Sequence, residues 1–194
     1  MNKLLWAGLL SLGLSGCMQY CDESCYITDD VGVVHKTMHY TQDKRGRDYF
    51  PEKAPATGQK QFIFDPKAYA WAAYDADGNR LMTGSASGGK DVCDENQNQS
   101  CRTVTGRFRV YNRRGADCKS GEFPVETTGG AKMPYCTYFF QGYTVHAAYE
   151  VPYANTSHGC VRVLPSAAKW LYDNFLTLGT QVTILPYADE EKVS

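Results

Sequence analysis

Short stretches of the chain alternate apolar and polar residues with period two, the signature of strands that bury one face. Gln61–Asp65 (QFIFD) alternates, and residues 68–75 (AYAWAAYD) run nearly apolar. Asp75-Ala76-Asp77-Gly78-Asn79 then supplies turn chemistry, so residues 80–85 are expected to return as a partner strand. Residues 105–112 (TGRFRVYN), 137–140 and 143–147 alternate again. A helix is predicted from Pro165, which suits a first helical turn. Ala167, Trp170, Leu171, Phe175 and Leu178 recur on one face, Gly179 follows as a stop, and residues 181–185 form a last strand. Between them, residues 87–103 are rich in Gly, Asn and Gln and read as a long loop.

The N-terminal 60 residues follow another pattern. Met1-Asn2-Lys3 is a short basic start, and residues 4–14 are apolar apart from Gly and Ser. That run is shorter than the ~20 residues a membrane-crossing helix needs, and it fits the core of an export signal. Leu14-Ser15-Gly16-Cys17 resembles a bacterial lipobox, which implies lipidation at Cys17 and anchoring by acyl chains. Met18 follows in place of Asp, so in a host with two membranes the expectation is a periplasmic lipoprotein of the outer membrane. Residues 1–16 are then signal peptide, 17–60 a lipidated tether and lead-in, 61–186 the catalytic domain, and 187–194 a tail. The stretch 41–60 is rich in charge, Gly and Pro and shows no strong periodicity.

At 194 residues the chain suits one ordinary domain. A formal charge of -1, with both signs interspersed, provides no basic stripe for phosphates and excludes nucleic acid as a partner. Cys21, Cys25, His35 and His39 form a C-x3-C…H-x3-H pattern that superficially suggests zinc. The gap between its halves is short for a finger and export favours disulfides, so neither metal nor cofactor is expected. Reserving Cys17 for lipid leaves seven of the eight cysteines, an odd number, so at least one stays unpaired.

Residues 143–163 (YTVHAAYEVPYANTSHGCVRV) carry the chemistry. A thiol needs deprotonation to attack, and a neighbouring imidazole is the usual means. His146 sits late on a predicted strand, and Cys160 follows fourteen residues on, after a loop with Pro and Asn. Gly159 permits a tight turn that leaves amides beside the thiol. Acyl transfer through a thioester is the chemistry these residues suit.

The sequence Ser157-His158-Gly159-Cys160-Val161-Arg162, with a strand-borne histidine upstream, resembles the S-H-G-C-x-R signature of the L,D-transpeptidase family, the YkuD-like catalytic domain. Thr105-Gly106-Arg107-Phe108-Arg109-Val110 is similar to its T-G-x-F-x-V strand, and Met133-Pro134-Tyr135, followed by Phe139, Phe140 and Gly142, to its cleft-lining segment. Trp170-Leu171-Tyr172 and Gly179-Thr180-Gln181-Val182 also fall in family order. The resemblance covers residues 61–186 and implies a mostly β fold, an L,D-transpeptidase-like β-sandwich with one main α-helix after the catalytic cysteine. It implies Cys160 as nucleophile, His146 as base, and the Ala147 carbonyl as the group that orients the imidazole. Amides of Gly159 and Cys160 would bind the oxyanion, while Ser157, His158 and Arg162 shape the site. Met133, Tyr135 and Tyr143 would contact substrate. Apart from the resemblance, Tyr149 and Tyr153 read equally as a lid or as a solvated tyrosine loop. The implied partners are peptidoglycan tetrapeptide stems, which lose D-Ala, and an amine acceptor: a stem diamino acid, a lipoprotein lysine or a D-amino acid. The sequence departs from the family at His146-Ala147, where Gly or Ser is usual after the histidine, and at Val104, where a Pro is usual.

An L,D-carboxypeptidase or amidase would share the same acyl-enzyme, and a non-catalytic wall-binding lipoprotein could share the fold. Cys93 and Cys101 lie eight positions apart in a polar loop, and Cys118 and Cys136 bracket a Gly-rich stretch. Local disulfides are expected for both pairs, with Cys160 reduced.

Overall fold

The computed structural model describes residues 25–28, 33–38, 40–41 and 43–190, with backbone alone for 25–28. Cys17 and Cys21, the Cys25 side chain and His39 lie outside that description, so the lipidation site and most of the C-x3-C…H-x3-H pattern do too. No helix among the described residues is long and apolar enough to cross a membrane.

An antiparallel hairpin comes first, β1 (Cys25–Thr28) with β2 (Val34–Thr37). The main body is one sheet of nine strands: β3 (Gln61–Asp65), β4 (Ala70–Tyr74), β5 (Arg80–Ser87), β6 (Gly106–Arg109), β7 (Asn112–Arg113), β8 (Thr137–Phe140), β9 (Tyr143–Ala147), β10 (Val161–Val163) and β11 (Gln181–Ile184). Across the sheet they run β6-β11-β3-β4-β5-β10-β9-β8-β7. Only two neighbouring pairs are parallel, β11 with β3 and β10 with β9. The sheet is mostly β structure curled on itself, so the two layers of the expected sandwich are halves of a single sheet.

The alternation in β3 and β11 explains the core. Phe62 and Phe64 are wholly buried and stand opposite Val182 and Ile184 in register, forming one apolar face. Burial of each such side chain is worth ~1.5–3 kcal/mol. The curl is closed by the chain between β6 and β7. Expected as one strand over 105–112, this stretch breaks at Val110 and Tyr111 and moves from one end of the sheet to the other. The Val110 amide donates to Thr180 O at 3.0 Å and the Tyr111 amide to Tyr138 O at 3.0 Å. Phe108 of β6 thereby reaches Phe139 and Phe140 of β8, with ring centroids 5.6 and 5.1 Å away.

The helix is shorter than its sequence pattern suggests. α1 (Pro165–Trp170) passes into a π-helical turn, residues 171–175, marked by a bond from the Leu176 amide to Leu171 O at 2.7 Å. The wider turn rotates the apolar face, so Phe175 and Leu176 are buried while Leu178, expected in the core, is 68% exposed.

The lead-in also packs on the domain. Phe50, with Ala54 beside it, lies against Ala70, Ala72 and Tyr74 and covers the outer face of β4, which explains why all five β4 residues are buried. Asp43 is buried, and its carboxylate accepts from the Ser85 amide at 2.5 Å, the Ser85 hydroxyl at 2.8 Å and the Arg45 amide at 3.1 Å. Arg45 donates to Pro152 O at 3.3 Å and lies 4.8 Å over the Tyr153 ring. The segment from 43 to 54 therefore holds both β5 and the loop that follows β9.

Candidate active site

β9 and β10 run side by side with Val145 opposite Val161 and His146 opposite Arg162. Alternation sends Val145, Ala147, Val161 and Val163 into the core and leaves Thr144, His146 and Arg162 on the other face. One residue further back in the same register, Cys160 falls across from Thr144. Four side chains thus form a compact square: thiol and guanidinium on one strand, hydroxyl and imidazole on the other.

His146 Nδ1 lies 2.8 Å from Ala147 O. A carbonyl can only accept, so Nδ1 carries the proton and Nε2 is left as the acceptor. Burial pushes the imidazole pKa down to about 4, the Ala147 bond opposes this, and nearby Arg162 adds to the fall. Burial pushes the Cys160 thiol up, against lowering contributions from Thr144 and Arg162. Both shifts favour the uncharged form, so thiol and imidazole are each neutral at rest. Thr144 Oγ1 donates to Cys160 Sγ at 3.4 Å.

The loop before the thiol is tightly specified. Ser157 Oγ donates to Cys160 O at 2.6 Å and accepts from the Gly159 amide at 3.0 Å. That amide is engaged here, whereas the Cys160 amide has no protein acceptor among the described residues. Gly159 has φ of +120°, and a Cβ there would sit 2.4 Å from Tyr143 Cε1. Arg162 Nη1 reaches Thr156 Oγ1 at 3.4 Å. His158 turns sideways, its Nε2 donating to Glu95 Oε1 at 2.9 Å and its ring stacking on Phe123 with centroids 4.5 Å apart.

A cleft of about 1240 Å³ opens above this square. Cys160, His146, Ala147, Ser157, His158, Arg162, Met133, Tyr135 and Tyr143 all line it. Two disulfides brace its walls: Cys93–Cys101, with Cα atoms 5.1 Å apart, and Cys118–Cys136, with Cα atoms 6.1 Å apart. Among the described residues Cys160 alone is a free cysteine. The second disulfide leads into Met133 and Tyr135, and Ala147 N donates to Pro134 O at 2.8 Å, tying that segment to the end of β9. Glu95, Cys101 and His158 bring potential metal-binding atoms within 4.8 Å of one another, but the Cys101 sulfur is already bonded to Cys93.

Some positions behave otherwise than the sequence suggests. Tyr149 lines the cleft, while Tyr153 lies outside it, packed against Tyr69 and Arg45, so the two do not make one lid. His35, considered above as a metal ligand, stacks on Tyr149 with centroids 4.5 Å apart and lines the cleft from β2. Thr144 escaped notice although its signal was present, since two residues from His146 on a strand means the same face. Glu95 and Glu122, both at the cleft, gave no such signal because they sit in irregular loops.

Comparison with known proteins agrees with this geometry. The YkuD family, the L,D-transpeptidase catalytic domain, matches residues 59–184. The chain is 28% identical to an L,D-transpeptidase (residues 123–326) from Xylanimonas cellulosilytica, with a TM-score of 0.58, covering 70% of this chain and 64% of that one. An L,D-transpeptidase from Stackebrandtia nassauensis shares the fold at 20% identity and TM-score 0.56, over 74% of this chain and 63% of that one. So does L,D-transpeptidase 3 from Mycobacterium tuberculosis, solved with a faropenem-derived adduct, at 19% identity and TM-score 0.54, over 66% and 60%. The chain thus spans slightly less than two thirds of each relative's length. A search of curated proteins gave no match. With the family match extending over most of the chain and the same fold recurring in solved relatives, the protein belongs to the L,D-transpeptidase (YkuD) catalytic-domain family.

Proposed function

We propose that this protein is an L,D-transpeptidase that acts on peptidoglycan tetrapeptide stems through a thioester at Cys160. The observation that carries the proposal is a free thiol lining the same cleft as an imidazole whose Nδ1 is fixed by Ala147 O, the two on adjacent strands. Sγ attacks the carbonyl of the third stem residue while His146 Nε2 takes the thiol proton. The new oxyanion is received by the Cys160 amide, which has no competing protein acceptor among the described residues. Collapse breaks the peptide C–N bond, and His146 returns its proton to the departing D-Ala amine. An acceptor amine then attacks the thioester, giving up a proton to His146 and restoring the thiol.

Because both groups are neutral at rest, charge develops only as substrate is attacked. Arg162 is positioned to favour the developing thiolate. Ser157 holds the Cys160 carbonyl and so sets the sulfur's direction. Met133, Tyr135 and Tyr143 provide the apolar and aromatic surface for the stem. By the lipobox resemblance, Cys17 is lipidated and, in a host with two membranes, anchors the protein to the outer membrane on its periplasmic side; intact mass of the mature protein with and without Cys17→Ala tests the lipidation.

The activity test is product analysis. Purified tetrapeptide muropeptides incubated with the enzyme and an amine acceptor should yield D-Ala and a crosslinked product joined at the third residue. Free tripeptide as the main product with acceptor in excess would instead make the protein an L,D-carboxypeptidase. No D-Ala release would refute the proposal.

A further inference from the structure

Thr144 has no part in the chemistry above, yet its placement asks for one. It is wholly buried, and among the described residues its hydroxyl has one partner, Cys160 Sγ, to which it donates at 3.4 Å. Valine would fill this volume without carrying a polar group into the interior, where a hydroxyl is costly unless it is well bonded. A neutral thiol sulfur is only a weak acceptor. A thiolate is a much better one, since hydrogen bonds to ionised groups are roughly twice as strong as neutral ones. The hydroxyl therefore gains most at the moment the sulfur becomes charged.

We propose that Thr144 is a positioning residue for the nucleophile, its hydroxyl donating to the Cys160 thiolate and stabilising it as His146 removes the proton. The proposal rests on Cys160 as the reacting thiol. The strand geometry accounts for it directly. Thr144 and His146 are two residues apart on β9 and share a face, and Cys160 lies across from Thr144 at the start of β10. Base and hydrogen-bond donor thus share one face of one strand, the donor directly on the sulfur. The other charged or titratable groups acting on that sulfur are Arg162 from β10, which favours the thiolate, and Glu122 from the cleft loop, which opposes it. Tyr143, at the head of β9, senses the same sulfur. The Thr144 amide also donates to that sulfur and is kept in a Thr144→Val variant, so the substitution removes the hydroxyl's contribution.

The test is the pH dependence of Cys160 alkylation by iodoacetamide in the full chain, read by peptide-resolved mass spectrometry to separate other thiols. Thr144→Val should slow alkylation near neutral pH by about ten- to a hundredfold, the worth of one hydrogen bond to a charged group. The rising limb of its profile should move to higher pH, and Thr144→Ser should restore the wild-type profile. If the valine variant fails to fold, Thr144→Ala is measured the same way. An unchanged profile in the valine or alanine variant, or a serine variant that behaves like valine, would overturn the proposal. The alkylation readout does not depend on cell-wall substrate. A shifted profile in an enzyme that releases no D-Ala would therefore uphold Thr144 and sink only the transpeptidase reading.

Discussion

Acid should destabilise this protein through His146 in a way that can be isolated from its other titrations. In the unfolded chain the imidazole takes a proton near pH 6.5. In the folded protein, burial holds its pKa down to about 4. Above pH 6.5 neither state is protonated, and His146 costs nothing. As pH falls from 6.5 towards 4 the unfolded chain gains a proton that the folded protein refuses, so stability declines through that window and levels off below it. A gap of about 2.5 pH units corresponds to about 3 kcal/mol, or ~6–12 °C in melting temperature for a domain of this size. Carboxylates elsewhere in the chain titrate over part of the same range. The measurement is therefore the difference between wild type and His146→Gln, each unfolded in urea at pH values from 7.5 to 4.5. Wild type should lose stability relative to the variant as pH drops. Parallel curves would refute the reasoning. If the glutamine variant does not fold, an NMR titration of the His146 ring decides the matter: a midpoint near 6.5 contradicts a buried, neutral imidazole.

Gly159→Ala combines an unfavourable φ of +120° with a Cβ 2.4 Å from the Tyr143 ring. Shifting the thiol by an ångström should lower kcat/KM by ~10²-fold or more with the fold retained by circular dichroism, and near-wild-type turnover would contradict this placement. Replacing Cys118 and Cys136 by Ser should lower the urea-derived stability by ~2–4 kcal/mol. The same change should raise KM, because the bond leads into Met133 and Tyr135; an unaltered KM would free that segment of its bracing role. His35→Ala removes a ring stacked on Tyr149 at the cleft, an interaction worth ~0.5–1.5 kcal/mol. It should raise KM by up to about tenfold with kcat little changed, and a loss confined to kcat would place His35 elsewhere in the mechanism.

The parts of the fold legible in the sequence are those where local pattern and burial coincide. Phe62 and Phe64, or Val182 and Ile184, alternate because one face of their strands meets the core. The stretch 105–112 keeps the same alternation across Val110, where the chain leaves one end of the sheet for the other. Nothing local marks that crossing, since it depends on partners near 138 and 180. Leu178 keeps helical spacing, but the π turn ahead of it rotates it into solvent. Asp43 reads as one charge in a charged lead-in, and its burial makes sense only beside Ser85, distant in sequence. In the site, His146, Ala147 and Ser157 to Arg162 stood out because they are contiguous or lie on one strand. His35 and Glu95 reach the cleft only through tertiary packing.

The central claim is a covalent thioester at Cys160, and intact-mass spectrometry of the enzyme mixed with a tetrapeptide stem tests it most directly. The account predicts a transient adduct equal to the stem less D-Ala, localised to the Cys160 peptide, and absent in Cys160→Ser. D-Ala release without any adduct on Cys160, or undiminished release by Cys160→Ser, would contradict it.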